Sequence, residues 1–423
     1  MAGTDRGDLT RTAILALLGT VGPLSRSEIA RELDLSPATV TQLTKELIGH
    51  GMLEELDLKP SRGGRPAQRL GLVGSAGRAL GVKVTADHLV LVDVRLDGEV
   101  LGSWDKPHDP AAPDALEHLA DAVESVVREI SGVPPLLGVG VGVPGSVDDQ
   151  AVGTVNAPTL GWQAMPVGER LRRRLHLPVL VENDVNALAA AERLYGRGRR
   201  HNDFLVLTIG RGVGAAIVAD GRVYRGARGG AGEFGHLPVA PDGPQCGCGA
   251  RGCLEAFVGS AGLLAAAEQA GRPPAERAEL PAAADRAGRS PAERDGGESL
   301  GAVAELGRAG AGGDPVVRAV FAEAGAILGR ATAGLINVVD PEVVVVLGEG
   351  TADWPLWQEG FDSALRAQLY PGRRDISVEV ESWDDTSWAQ GAAALVLATP
   401  FDAAGAAGEQ GRLVRARLIG AAP

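Results

Sequence analysis

The chain places all three of its cysteines, Cys246, Cys248 and Cys253, within eight positions, and His236 stands ten residues before the first of them. Three thiolates and one imidazole form a closed donor set for tetrahedral Zn2+. The glycines between them let the loop fold tightly enough for the sulfurs to converge. A disulfide across Cys246-Gly247-Cys248 would be strained and would leave an odd thiol. Four protein ligands leave no open coordination position, so the spacing predicts one structural zinc per chain, held by His236, Cys246, Cys248 and Cys253. A ligating imidazole uses one nitrogen and leaves the other to a hydrogen-bond partner. The braced loop also carries Glu233 and Glu255. Upstream, Glu182, Asn183 and Asp184 end a predicted strand, and Asn156 opens the run Asn156–Trp162. Carboxylates and amides without a cationic cluster suit a neutral polyhydroxylated ligand, because each can hydrogen-bond two hydroxyls.

Two stretches match G-x-G-x-x-G without its mechanism. In Gly140–Gly145, Pro144 stands where the helix should begin and no helical pattern follows, so it is read as a glycine-rich strand end lining a cleft. Gly247–Gly252 lies among the cysteines of a chain with 60 glycines.

The elements that must position these groups alternate. Short apolar β runs begin at Ala79, Leu89, Leu136, Leu177, Phe204, Val213 and Val343. Helical patterns cover 115–130, 185–195, 254–270, 315–338 and 388–398. This alternation predicts an α/β fold. A strand pair turning at Asp-Gly appears twice, at Asp97-Gly98 and Asp220-Gly221, which points to a duplicated architecture with a cleft between halves. The expected organisation is an N-terminal lobe over 76–200 and a C-terminal lobe over 201–400. A Pro/Ala/Arg/Glu-rich stretch, 271–297, is expected as a mobile insertion, and 401–423 as a flexible tail.

Residues 1–73 have a different character. They carry nine basic and nine acidic side chains, so the net charge of −13 falls on the remainder. Ser25 with Glu28 forms a capping box. Ser36 caps a second helix that has Pro37 at its first position and stops at Gly51. Val40, Leu43 and Leu47 share its inward face, leaving Ala38, Thr41, Gln42 and Lys45 outward. A wing follows, with the basic tip Ser61–Pro66. Two short helices and a basic wing over 1–75 predict a winged helix-turn-helix that binds double-stranded DNA. Thr41, Gln42 and Lys45 would face bases, Ser36 and Thr39 phosphates, and Arg65 the minor groove, with Arg62 a further DNA contact on the wing tip. The plain alternative is a three-helix packing module with a solvated basic loop. One such module binds weakly, so a homo-oligomer, dimer or tetramer, on an inverted repeat is expected. No apolar run reaches the ~18 residues of a spanning helix, and the first residues lack a signal-peptide pattern. These features predict a cytoplasmic protein without a membrane partner, a reducing setting in which clustered cysteines bind metal.

Gly232–His236, the loop Cys246–Glu255, Val181–Ala187, Asn156–Trp162 and Ile336–Gly348 together resemble the ROK family of repressors and sugar kinases, and the winged helix resembles its regulator branch. The resemblance spans about residues 9–400. It implies a two-lobed actin/hexokinase-like body in which Asn156, Asn183, Asp184, Glu233, His236 and Glu255 contact sugar hydroxyls. In the family's kinases the aspartate matching Asp184 is the general base. The nucleotide elements depart from the kinase pattern. The phosphate loop Asp-x-Gly-Gly-Thr reads Lys83-Val84-Thr85-Ala86-Asp87 here, the second loop reads Gly210-Arg211-Gly212, and the nucleotide-side glycine triplet reads Gly348-Glu349-Gly350. The expectation is a sugar-responsive DNA-binding transcriptional regulator, a repressor, whose kinase-like body senses a neutral sugar but has lost ATP binding, with no catalytic residue assigned and Asp184 as the equivalent of the kinase base. The alternatives are a sugar kinase with an appended DNA-binding domain and a winged-helix scaffold that docks protein.

Overall fold

The structure is a computed structural model and describes residues 6–59, 67–130, 132–272, 296–384, 386–401 and 407–418. The chain divides into two compact units. The first comprises residues 1–200, 227–229 and 385–423, and the second 201–226 and 230–384.

The first unit opens with the winged helix: α1 (Arg6–Val21), β1 (Leu24–Ser25), α2 (Arg26–Glu32), α3 (Pro37–Gly49), β2 (Leu53–Lys59) and β3 (Ala67–Leu72). The Ser25–Glu28 capping box and the Ser36 cap with Pro37 in the first turn start α2 and α3 as the sequence predicts. The strands form a sheet in the order β1-β3-β2.

The body of this unit follows: β4 (Arg78–Val84), β5 (His88–Arg95), β6 (Val100–Pro107), α4 (Ala115–Glu129), β7 (Leu136–Val143), β8 (Ser146–Val147), β9 (Val155–Ala157), β10 (Trp162–Met165), α5 (Val167–Leu175), β11 (Val179–Asn183) and α6 (Asp184–Leu194). Its five-stranded sheet runs β11-β7-β4-β5-β6. The β4–β7 and β7–β11 pairs are parallel, and β4–β5 and β5–β6 antiparallel.

The second unit holds β12 (Phe204–Ile209), β13 (Val213–Ala219), β14 (Arg222–Val223), α7 (Glu255–Val258), α8 (Ser260–Gln269), α9 (Gly296–Ala311), α10 (Pro315–Val339), β15 (Val343–Leu347), α11 (Trp354–Gln368) and β16 (Ser377–Val380). Its sheet, β14-β13-β12-β15-β16, repeats the order and strand sense of the first. By length and composition α10 would cross a membrane, but Arg318, Glu323 and Arg330 interrupt it. It presents Val317, Phe321, Leu328 and Ile336 to the core that α11 shares.

The chain then returns to the first unit as α12 (Ser387–Leu397) and α13 (Gly408–Leu418). Here the structure differs from the sequence expectation. The second lobe gives up its last helix, and the tail expected from 401 contains a docked one. The reason is packing. On β4, Leu80, Val82 and Val84 face the core with α4, while Ala79, Gly81 and Lys83 face the opposite side. A Cβ at Gly81 or Gly140 would overlap the carbonyl oxygens of Ala389 and Ala392, so those glycines let α12 lie backbone-close on β4 and β7. This accounts for the glycine-rich strand at 140–145. In α13, Val414 is fully buried, Gln410 accepts a hydrogen bond from the Val179 amide (3.2 Å), and Arg417 donates to the Leu136 carbonyl (3.1 Å). Most of the insertion 271–297 and the wing tip lie outside the described residues.

Candidate functional site

In the first unit, the strand end of β11 and the start of α6 place three of the sequence-predicted residues. Asn183 caps α6, accepting from the Val185 and Asn186 amides (3.0 and 3.1 Å). Its Nδ2 donates to the Gly145 carbonyl (3.1 Å). A Cβ on Gly145 would lie 2.7 Å from the Ala157 Cα, so β9, which carries Asn156, closes on the same glycine. Asn156 is exposed and accepts from the Ala164 amide (2.9 Å). Glu182 is buried and serves the scaffold: it accepts from Gln150 Nε2 (2.8 Å) and from the Asn183 amide (2.8 Å).

Asp184 is the first residue of α6 and is buried. One carboxylate oxygen accepts from the Val185 amide (2.9 Å), and the other pairs directly with Lys83 Nζ. Lys83 is also buried, and its ammonium sits 4.4 Å from the centre of the Trp388 ring at the start of α12, a cation–π distance. The sequence flags Lys83 as out of place, but neither this pair nor Trp388 is visible in it.

In the second unit, the zinc-loop residues converge. One donor atom from each of His236, Cys246, Cys248 and Cys253 lies within 4.8 Å of all the others. The Cys248 and Cys253 sulfurs are 3.7 Å apart, and Cys246 Sγ lies 3.6 Å from His236 Nδ1. A Zn–S length of about 2.3 Å and a Zn–N length of about 2.0 Å give tetrahedral edges of roughly 3.8 Å for S···S and 3.6 Å for S···N. The donors therefore fit tetrahedral zinc, and the sulfur separation excludes a disulfide. Gly249 (φ +91°) and Gly252 (φ +70°) take the left-handed turns that bring the sulfurs together. Burial pushes the Cys246 thiol up to about 12, whereas the backbone hydrogen bond involving Ala250 lowers Cys248.

The other imidazole nitrogen, Nε2, lies 3.8 Å from the Glu233 carboxylate. Glu255 begins α7 and accepts from the Val213 amide (3.1 Å), fixing its carboxylate on the Gly210–Val213 turn. The same turn holds Gly210-Arg211-Gly212, which the family resemblance sets against the second phosphate loop of the kinases. A Cβ on Gly210 would overlap the carboxylate of Glu349, so that acid lies directly on the loop. Asn156, Asn183 and Asp184 thus belong to one unit, and Glu233, His236 and Glu255 to the other.

The residues expected from the sequence to meet nucleic acid lie on and around α3. Val40, Leu43 and Leu47 are buried, while Thr41, Gln42 and Lys45 are exposed. Ser36 Oγ accepts from the Thr39 amide (3.1 Å) and hydrogen-bonds Thr39 Oγ1 (2.7 Å). Thr41 Oγ1 donates to the Pro37 carbonyl (2.7 Å), and Gln42 donates to Glu46 (3.2 Å). Arg11 also binds Glu46 (2.7 Å) and holds its carboxyl below the usual range. Arg62 and Arg65 lie outside the described residues.

Fold and motifs define a two-part chain, a winged helix joined to a sugar-kinase-like body. The chain belongs to the ROK family, which matches residues 79–399, and residues 8–59 match the MarR family. Among similar proteins, a xylose repressor of Caldicellulosiruptor bescii is 28% identical over 88% of this chain and 92% of its own length. The Escherichia coli DNA-binding transcriptional dual regulator NagC is 28% identical over 92% of both chains. A Streptomyces coelicolor glucokinase is 32% identical over 66% of this chain and 83% of its own. Among solved structures, a ROK family transcriptional regulator, a homologue of the E. coli MLC protein, superimposes with a TM-score of 0.76 at 25% identity, covering 98% of this chain and 99% of that one. The N-terminal part is accordingly a MarR-type winged helix, and the body is ROK sugar-kinase-like.

Proposed function

We propose that the protein is a sugar-responsive DNA-binding transcriptional regulator, a repressor, whose kinase-like body senses a neutral sugar and does not use ATP. The observation that carries this is the buried Lys83–Asp184 pair. A general base must be free to take a proton from the accepting hydroxyl. An ammonium held on its carboxylate disfavours that role, yet still leaves Asp184 an acceptor for a sugar hydroxyl. Glu349 on the Gly210 turn adds negative charge where a kinase would bind phosphate, a repulsion of the wrong sign for ATP. The repressor relatives that span nearly the whole chain support the same assignment.

In this account Asn156, Asn183, Asp184, Glu233, His236 and Glu255 contact the sugar. His236, Cys246, Cys248 and Cys253 hold one structural zinc. When bound, zinc acts as a crosslink that keeps the loop carrying Glu233 and Glu255 in place. Thr41, Gln42 and Lys45 read bases, Ser36 and Thr39 meet phosphates at the α3 N-terminus, Arg65 enters the minor groove, and Arg62 is a further DNA contact on the wing. The protein works in the cytoplasm as a homo-oligomer on an inverted repeat, and sugar binding releases DNA.

The second reading is a sugar kinase with an appended DNA-binding domain, which the glucokinase relative favours. Thermal shifts with glucose, xylose, N-acetylglucosamine and the 6-phosphates of the two hexoses, followed by ATP turnover with whichever binds, separate the two. Stabilisation by a neutral sugar without turnover supports the regulator. Turnover abolished by Asp184→Asn supports the kinase.

A further inference from the structure

We infer that α6 and α12 form a paired rod that couples the state of the Lys83–Asp184 pair to helix α1 of the winged helix. This rests on the regulator reading given above. Both helices begin at the pair. Asp184 is the first residue of α6, and Trp388, against which the Lys83 ammonium is placed, is the second residue of α12. Both also end at α1. The turn Thr399–Phe401 after α12 brings the Phe401 ring to 3.4 Å from a Cβ on Gly19 of α1. The turn Arg197–Arg200 after α6 brings an Arg199 guanidinium nitrogen to 3.9 Å from a Cβ on Gly22, just past the end of α1. Each helix has eleven residues, about 16 Å of length at 1.5 Å per residue.

The two helices are locked to each other along that length. A Cβ on Gly391 would lie 3.0 Å from both the Leu188 amide nitrogen and the Leu188 Cδ2 and 3.2 Å from the Ala187 carbonyl carbon, so α12 lies close on the α6 backbone beside the Leu188 side chain. Ile14, Leu15 and Leu18 of α1 share one buried cluster with Ala187 and Leu194 of α6 and Ala389, Ala393 and Val396 of α12. Close-packed interiors do not absorb a shift locally, so movement of either helix start is passed along the pair. A sugar hydroxyl that competes with Lys83 for Asp184 acts at the near end. The winged helix sits on the far end.

Spatial continuity becomes coupling only if both ends respond together. Breaking the pair from within needs no sugar. Hydrogen exchange of the full-length Lys83→Met variant is expected to change protection in α6, α12 and the α1 segment 14–21 at least fivefold more than in α4, on the opposite face of the sheet. Asp184→Asn, nearly isosteric, is the second variant should Lys83→Met fold poorly. In the Phe401→Ala background the change in α1 should shrink at least threefold while that in α6 persists. Unchanged α1 protection in whichever variant folds, or an undiminished α1 response in Phe401→Ala, overturns the coupling. A wild type that responds to no sugar while Lys83→Met still moves α1 overturns the sensor reading and leaves the coupling standing.

Discussion

Lys83 and Asp184 come from β4 and the start of α6, 101 residues apart, and meet as a buried ion pair beneath the Trp388 ring. Removing either partner leaves the other charge buried and unpaired. Lys83→Met is expected to destabilise the first unit by about 3–5 kcal/mol, and Lys83→Met with Asp184→Leu to recover most of that loss. Urea unfolding checks this; a single-variant cost under about 1 kcal/mol would show that the pair is solvated in solution.

The zinc account predicts about one zinc per chain in protein purified without added metal. Cys248→Ser or a strong chelator should lower the melting temperature of the second unit and weaken sugar binding, because Glu233 and Glu255 ride on the same loop. Elemental analysis returning no zinc would remove the crosslink from the account.

His108 gives a pH prediction. It is buried, stacks edge-on to Trp162 at 6.3 Å, and neither ring nitrogen has a hydrogen-bond partner. Burial lowers its pKa below the ordinary 6.5, so the unfolded chain binds the proton more tightly. Its contribution to stability is then complete above about pH 6.5 and is lost as pH falls below it, by at most about 1.4 kcal/mol per unit. His108→Phe should flatten the wild-type stability curve between pH 7 and 5. Parallel curves would mean that His108 already has a partner, such as an ordered water.

ATP turnover should stay at background with glucose, xylose and N-acetylglucosamine. In the proposed regulator the Glu349 carboxylate on the Gly210 turn would disfavour the phosphates, so Glu349→Gly should raise nucleotide affinity measurably without creating turnover while Lys83 remains. Sugar phosphorylation by the wild type above background would contradict the loss of kinase chemistry.

Much of this was legible in residue order. Strands 204–209 and 213–219 are found where the apolar runs lie, because largely buried apolar strands bounded by glycine and aspartate carry a strong local signal. The caps at Ser25 and Ser36 are equally local. What was missed depends on tertiary surroundings. Most of strand β6 beyond the Asp97-Gly98 turn is an edge strand with alternating exposure and charged residues, α5 carries four arginines in nine residues, and the pattern at 254–270 breaks at Gly259 into two helices. The candidate metal set was readable because four candidate ligands, one histidine and three cysteines, lie within eighteen positions of one loop. The partner of Asp184 was not, since no local pattern connects Lys83 to it.

The central claim is that sugar occupancy of this body changes affinity for DNA. Titration of an operator fragment with the full-length protein, with and without a saturating sugar chosen by thermal shift, tests it most directly. The account predicts at least a tenfold loss of affinity, about 1.4 kcal/mol of coupling, in the wild type, blunted in Glu233→Ala, whose sugar-free DNA binding is kept, and in Asp184→Asn measured against its own sugar-free affinity. Identical DNA affinity with and without a sugar that demonstrably binds, or an undiminished response in both variants, would contradict it.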